Sequence, residues 1–264
     1  MDRDSHTPTA ALALRPYIEL TRPGRLLTAP ADVAAGFLIA GSAAYGALPG
    51  LLLATLCLYA SGAVLNDVFD ADSDSRRRAP RPIVRGDVGR SAAAVFGLIL
   101  LALGIAYAYS VSNFSGAIAV AVAALALAYN AGAKHSSAGP TLMGLCRGAN
   151  LLLGMSASGA MPDAQLWPVA ILALYVAAVA TLNLHRHSRL PQALFAGGAG
   201  MTASAGLAAW LCLQSPHGYA MGYWWVFVGV IAPAAAVAAV KLDSNSAHEA
   251  VRYGVLGVIA VDAE

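Results

Sequence analysis

Charge is scarce in this chain. Only 11% of its 264 residues are Asp, Glu, Lys or Arg, less than half of the ~25% usual in soluble domains, and that excludes a soluble globular protein. Cysteine is scarce as well: of three, Cys57 and Cys212 lie inside apolar runs and Cys146 lies near the start of one. An odd count without paired spacing argues against a disulfide framework and a zinc site, leaving inert thiols. The net charge of +2 comes with no basic stripe, so nucleic acid is not expected as a partner. No low-complexity tract and no appended soluble domain is apparent. The first 25 residues carry Arg3, Arg15, Arg22 and Arg25 ahead of the first long apolar run, so no cleavable signal peptide is expected.

What the chain has is apolar length. Runs long enough to span a bilayer, about 17–25 residues, occupy roughly 26–44, 48–66, 91–109, 114–130, 142–158, 166–184, 193–213 and 223–240. A ninth begins near residue 251 and stops at 264, too short to span alone. The expected fold is therefore all-α: a polytopic transmembrane bundle of eight to nine helices. Residues 1–25 would form an N-terminal segment with a short interfacial helix over 11–20, and residues 26–264 the transmembrane domain.

The basic residues orient it. Linkers after the first, third, fifth and seventh runs contain no Lys or Arg, and all sixteen basic residues lie in the N-terminal segment, in the alternate linkers, or at their edges. By the positive-inside rule that face is cytoplasmic, which predicts a multi-pass protein of the cell (inner) membrane. The acids agree: apart from Asp32 within the first run, only Asp163 lies away from that face.

At this face the second run ends in Asn66-Asp67-Val68-Phe69-Asp70-Ala71-Asp72-Ser73-Asp74, which holds four of the fourteen acids. On a helix, at about 100° per residue, Asp67, Asp70 and Asp74 fall within roughly 60° of one another, with Asn66 to one side and Asp72 opposite. Three carboxylates on one face repel each other. A hard divalent cation such as Mg²⁺, held through carboxylate oxygens and shared with a substrate phosphate, would hold them together. A solvated acidic turn balancing the following arginines is the plainer reading. Because Asn66 and Asp67 directly continue an apolar helix, where acids are functional by default, the metal reading is favoured.

Cations are available to meet it. Arg76, Arg77, Arg78, Arg81, Arg85 and Arg90 follow the acidic stretch. Most of them set topology and contact lipid headgroups, whereas Arg81, between Pro80 and Pro82, suits a bidentate grip on phosphate. The linker after the fourth run supplies Tyr129, Asn130 and Lys134, and Arg147 lies about three turns further on. An Arg among Met143, Leu145, Cys146 and Leu151 requires an anionic partner or water; a substrate diphosphate would suit both Lys134 and Arg147. Gly144 and Gly148 form a small-x-x-x-small pattern, read as close helix packing. The linker after the sixth run carries Asn183, His185 and His187. Two histidines at i, i+2 do not share a helix face and imidazole is a poor Mg²⁺ ligand, so a cationic phosphate contact is the functional reading there.

Together these residues resemble the UbiA superfamily of intramembrane prenyltransferases. Its first signature, N-D-x-x-D-x-x-x-D followed by R-P-I/L, is matched by Asn66, Asp67, Asp70, Asp74, Arg81, Pro82 and Ile83. Arg22-Pro23 resembles the family's lead-in to its first helix, Tyr129, Asn130 and Lys134 its Y-P/N-x-x-x-K stretch, and Gly144, Arg147 and Gly148 its G-x-x-R-G turn. The 129–134 and 139–148 stretches are most similar to the UbiA-like EboC group. One departure stands out. The family's second acidic motif, after the sixth helix, is missing: no acid occurs between Asp163 and Asp243, and Asn183, His185 and His187 stand in that linker.

The resemblance implies Mg²⁺-dependent transfer of an isoprenyl group from a prenyl diphosphate to a small acceptor. Asp67, Asp70 and Asp74, with Asn66, would hold the metal. Lys134 and Arg147, with Arg22 and Arg81, would hold the diphosphate, supported by Tyr129, Asn130, Asn183 and His185. Membrane lipid is the surrounding partner, and no protein partner can be inferred. The alternative is a non-catalytic isoprenoid or lipid binder or carrier of the same fold. A transporter is disfavoured, since Asp32 alone makes a poor ion relay.

Overall fold

A computed structural model describes residues 10–26, 28–159 and 166–185. In order these form α1 (Ala10–Leu20), α2 (Pro23–Leu26), α3 (Thr28–Ile39), α4 (Leu48–Arg76), α5 (Pro82–Arg85), α6 (Arg90–Val111), α7 (Asn113–Asn130), α8 (Ala138–Met155) and α9 (Trp167–His185). Single 3₁₀ turns cover Tyr45–Ala47, Ala133–His135 and Ser156–Ser158. No strand occurs among the described residues. The helix expected at 11–20 is α1, and the runs at 48–66, 91–109 and 114–130 lie within α4, α6 and α7. The runs read at 193–213, 223–240 and from 251 lie outside the described residues.

Among the described residues, three helices are long and apolar enough to cross a membrane: Tyr45–Arg76, Arg90–Val111 and Asn113–Asn130. The first run ends earlier than expected, with α3 closing at Ile39. Its end is set by Gly41, at φ +59°, a left-handed position that glycine adopts freely. The second run continues as helix through the acidic stretch, as its placement on a helix expects. With 29 residues, α4 is about 44 Å long, against a hydrocarbon core of about 30 Å, so its acidic third projects as continuous helix beyond the apolar body.

The core gathers Val33 and Phe37 of α3, Leu51, Ala54 and Leu58 of α4, Ile118 and Val122 of α7, and Leu153 beyond the middle of α8. Outward, α6 presents Val95, Leu98, Ile99 and Leu103, the all-round apolar character of a helix in lipid. α8 is held tightly on two sides by small residues. A Cβ on Gly36 would lie 2.1 Å from the Leu151 carbonyl oxygen, and one on Gly154 would lie 2.0 Å from that of Val33. On the other side a Cβ on Gly144 would meet the Ala173 carbonyl oxygen at 2.2 Å. The expected close packing at Gly144 and Gly148 is thus against α9.

Candidate functional site

The acidic end of α4 is electrostatically unfavourable on its own. Asp67, Asp70, Asp72 and Asp74 occupy the last three turns of the helix, where the macrodipole is negative and cations are preferred. A sequence selected only for stability would not put them there. The fold offsets them by bringing cations from three other segments.

Arg22, between α1 and α2, reaches Asp67 and makes an ion pair from Nη2 to Oδ1. Asp67 is only 2% exposed. Arg81 stands between two carboxylates, its Nη1 3.7 Å from Asp67 Oδ1 and its Nε 3.7 Å from Asp74 Oδ2. It is the extended residue that caps α5, the conformation its flanking prolines favour. Lys134, in the 3₁₀ turn between α7 and α8, donates to Asp70 Oδ1 at 2.6 Å and to Asn66 Oδ1 at 3.0 Å. Asp72, on the opposite face as the helical period requires, pairs with exposed Arg90 at 3.1 Å. Three carboxylates thus meet three cations on one helix face.

Tyr129 and Asn130 end α7 beside this face. Asn130 donates to the Gly62 carbonyl at 2.9 Å, tying α7 to α4 one turn inward of Asn66. Asn183 and His185 lie in the last turn of α9, but their side chains fall outside the described residues, as does His187 altogether.

Arg147 is placed elsewhere. Its Nη2 donates to Asp32 Oδ1 at 2.8 Å and its Nη1 to the Thr28 carbonyl at 3.2 Å. Asn150, one turn on, donates to Asp32 Oδ2 at 3.1 Å and to the Ala29 carbonyl at 2.8 Å, and accepts from Thr55 Oγ1 at 2.6 Å. The anionic partner that Arg147 requires is therefore Asp32, and the network joins α3, α4 and α8. Sequence reasoning singled out both residues, as the acid and the arginine deep in apolar runs, without pairing them. Asn150 and Thr55 carried no sequence signal, since isolated polar residues in spans are common.

Among the described residues no three His, Cys, Asp or Glu side chains converge closely enough to hold a metal ion; the carboxylates point at Arg22, Arg81 and Lys134 instead. The donors still suit Mg²⁺, which needs only one or two carboxylates together with substrate phosphate oxygens and waters. Asn66, Asp67, Asp70 and Asp74 offer oxygens alone. A second observation fits an anion beside them: Arg22 Nε is buried without a hydrogen-bond acceptor among the described residues. A buried unpaired donor costs free energy unless a ligand satisfies it.

Comparison with known proteins gives a consistent result. The family model for the UbiA prenyltransferase family matches residues 30–254. Digeranylgeranylglyceryl phosphate synthase of Methanoregula boonei is 41% identical over 96 residues, 35% of this chain and 34% of that protein. Protoheme IX farnesyltransferase 1 of Vibrio campbellii is 37% identical over 94 residues, 33% of this chain and 32% of that one. The matched stretch thus spans about a third of the length of these curated relatives. A UbiA homolog from Archaeoglobus fulgidus, bound to DMAPP and Mg²⁺, has the same fold with a TM-score of 0.66 at 16% identity, covering 92% of this chain and 99% of that one.

Proposed function

The chain belongs to the UbiA prenyltransferase family, and from that premise we propose that it transfers a prenyl group from a prenyl diphosphate to a small acceptor, with Mg²⁺ as cofactor. The Nε of Arg22, buried and without a hydrogen-bond acceptor among the described residues, carries this reading. It stands on an acidic face that already holds Arg81 and Lys134, so anion donors and metal-binding oxygens are interleaved.

Asp67, Asp70 and Asp74, with Asn66, would hold Mg²⁺. When bound, Mg²⁺ supplies Lewis-acid stabilisation of the charge that develops on the departing diphosphate. Arg22, Arg81 and Lys134 bind and orient the diphosphate oxygens, and as fixed cations they favour scission of the allylic C–O bond over the ground state. The apolar bundle holds the isoprenoid tail and excludes water from the carbocation. Arg147, with the Asp32 carboxylate and the Thr28 carbonyl already on it, supports the site by fixing α3 to α8. The mouth opens to the cytoplasm, because the basic residues cluster on that side.

The test is binding of geranyl and longer prenyl diphosphates to the detergent-purified protein, with Mg²⁺ and with EDTA, while pyrophosphate release is followed. Mg²⁺-dependent binding is expected, and Asp67→Ala or Asp70→Ala should abolish it with the protein still inserted. Unchanged binding in both variants would sink the assignment. A carrier of the same fold is the second reading, favoured by the absence of any acid between Asp163 and Asp243. Binding without release in the presence of a panel of acceptors would support it.

A further inference from the structure

Arg85 touches none of the acidic residues of the α4 site face, yet both segments that bring arginines to Asp67 are fastened to it. Its Nη1 and Nη2 donate to Glu19 Oε1 and Oε2 at 3.0 and 2.8 Å. Its Nε donates to Asp87 Oδ2 at 2.7 Å, and Nη1 also donates to the Pro80 carbonyl at 3.0 Å. Glu19 is in the last turn of α1, and its backbone carbonyl accepts the N–H of Arg22 at 3.1 Å. Pro80 immediately precedes Arg81, whose own carbonyl accepts the N–H of Arg85 at 2.9 Å. One guanidinium therefore joins the backbone that carries Arg22 to the backbone that carries Arg81.

The join lies over a shared apolar base. Leu20 and Val88 pack with Val64 of α4, and Ile83 and Val68 lie against them. This base fixes the depth of both segments but not their rotation, because apolar contact is non-directional. Direction is needed at Arg22, which is held at φ +53°, a left-handed conformation that costs a non-glycine residue free energy and persists only when its surroundings impose it. A bidentate Arg–carboxylate fork supplies fixed orientation. As an exposed ion pair it adds little to global stability.

We propose that Arg85 is a positioning residue for the diphosphate site, acting through Glu19 on Arg22 and through the Pro80 carbonyl on Arg81. This rests on the functional reading above. The contact it serves is between the two arginines and an anion on Asp67's side of α4.

The experiment compares Arg85→Gln and Arg85→Lys with the full-length protein in detergent, measuring the Kd for geranyl diphosphate with Mg²⁺ together with the thermal midpoint. Arg85→Gln should weaken binding about tenfold, the scale of one charged hydrogen bond, with the thermal midpoint nearly unchanged; Arg85→Lys should recover part of the loss. Adding Arg85→Gln to an Arg22→Gln/Arg81→Gln background should change Kd less than twofold, since nothing would be left to position. Undiminished affinity in Arg85→Gln, or a full additional loss in the double-variant background, would overturn the proposal. Amide hydrogen exchange at Arg22 and Arg81 decides it independently of function: exchange should speed up in Arg85→Gln, and unchanged exchange overturns the proposal. A wild-type protein that binds no diphosphate would instead refute the functional reading, with the exchange result still judging the coupling.

Discussion

Replacing Lys134 by Gln should move two affinities in opposite directions. Lys134 is 9% exposed and donates to Asp70 Oδ1 at 2.6 Å and to Asn66 Oδ1 at 3.0 Å. Asp67, Asp70 and Asp74 are matched one for one by Arg22, Arg81 and Lys134, so the face is neutral before anything binds. A unit charge pair at 4 Å is worth about 1 kcal/mol in water and about 4 kcal/mol at the effective dielectric of a protein surface. Asp70 is partly exposed, which places this pair between those limits. Removing the ammonium should therefore cost an incoming diphosphate about 2 kcal/mol, roughly a thirty-fold rise in its Kd. The same substitution leaves the face one charge negative and uncovers Asp70, so Mg²⁺ alone should bind about tenfold tighter. Calorimetric titration of the detergent-solubilised variant with MgCl₂, and with geranyl diphosphate at fixed Mg²⁺, reads both. If Lys134→Gln binds the diphosphate as the wild type does, or loses affinity for both ligands together, the neutral-face reasoning is wrong.

Three further outcomes are expected. Asp32→Ala withdraws the buried carboxylate from Arg147 and Asn150 and should destabilise the protein by about 3–5 kcal/mol, as for one partner removed from a buried pair; thermal unfolding in detergent checks this, and an unshifted transition would contradict it. Gly154→Ala drives a methyl group to 2.0 Å from the Val33 carbonyl oxygen and should cost about 1–3 kcal/mol of overpacking. Gly62→Ala, with nothing among the described residues within 4 Å of its Cβ, should be neutral or stabilise α4 by up to about 1 kcal/mol, so equal unfolding temperatures for the two would refute the packing argument. The Glu19 carboxyl is held below the usual carboxylate range, chiefly by its hydrogen bond from Arg85. With the folded-state pKa depressed, this contribution is present above the unfolded glutamate pKa and lost as pH falls through the folded one. Protection of α1 from hydrogen exchange should accordingly drop below the ordinary glutamate range in the wild type and lack that step in Glu19→Gln.

Several features were legible before any coordinates because they depend on one helix at a time. A run of apolar residues in lipid must satisfy its backbone within itself, so length and composition suffice to find α4, α6 and α7. The 100° period puts Asp67, Asp70 and Asp74 on one face and Asp72 on the other, and the structure keeps that division, with Asp72 turned to Arg90. The family was legible as well, since its first signature is contiguous. The same period implied a helix past the end of the apolar run: hydropathy stops at Leu65, and the helix continues through its charged third to Arg76.

Pairing was decided by the tertiary structure alone. Arg22 meets Asp67 across 45 residues, Lys134 meets Asp70 across 64, and Arg147 meets Asp32 across 115. A sequence period fixes the angle of a side chain around its own axis and its height along it. It does not fix which neighbouring helix stands opposite, nor at what height. Here that was set by glycines that bring α3 within backbone contact of α8, placing Asp32 beside Arg147, and by the apolar base under Leu20 and Val88 that carries Arg22 to Asp67. Apolar length and helical period fix the spans of α4, α6 and α7 and the acidic face; the packing between helices fixes which charges answer one another.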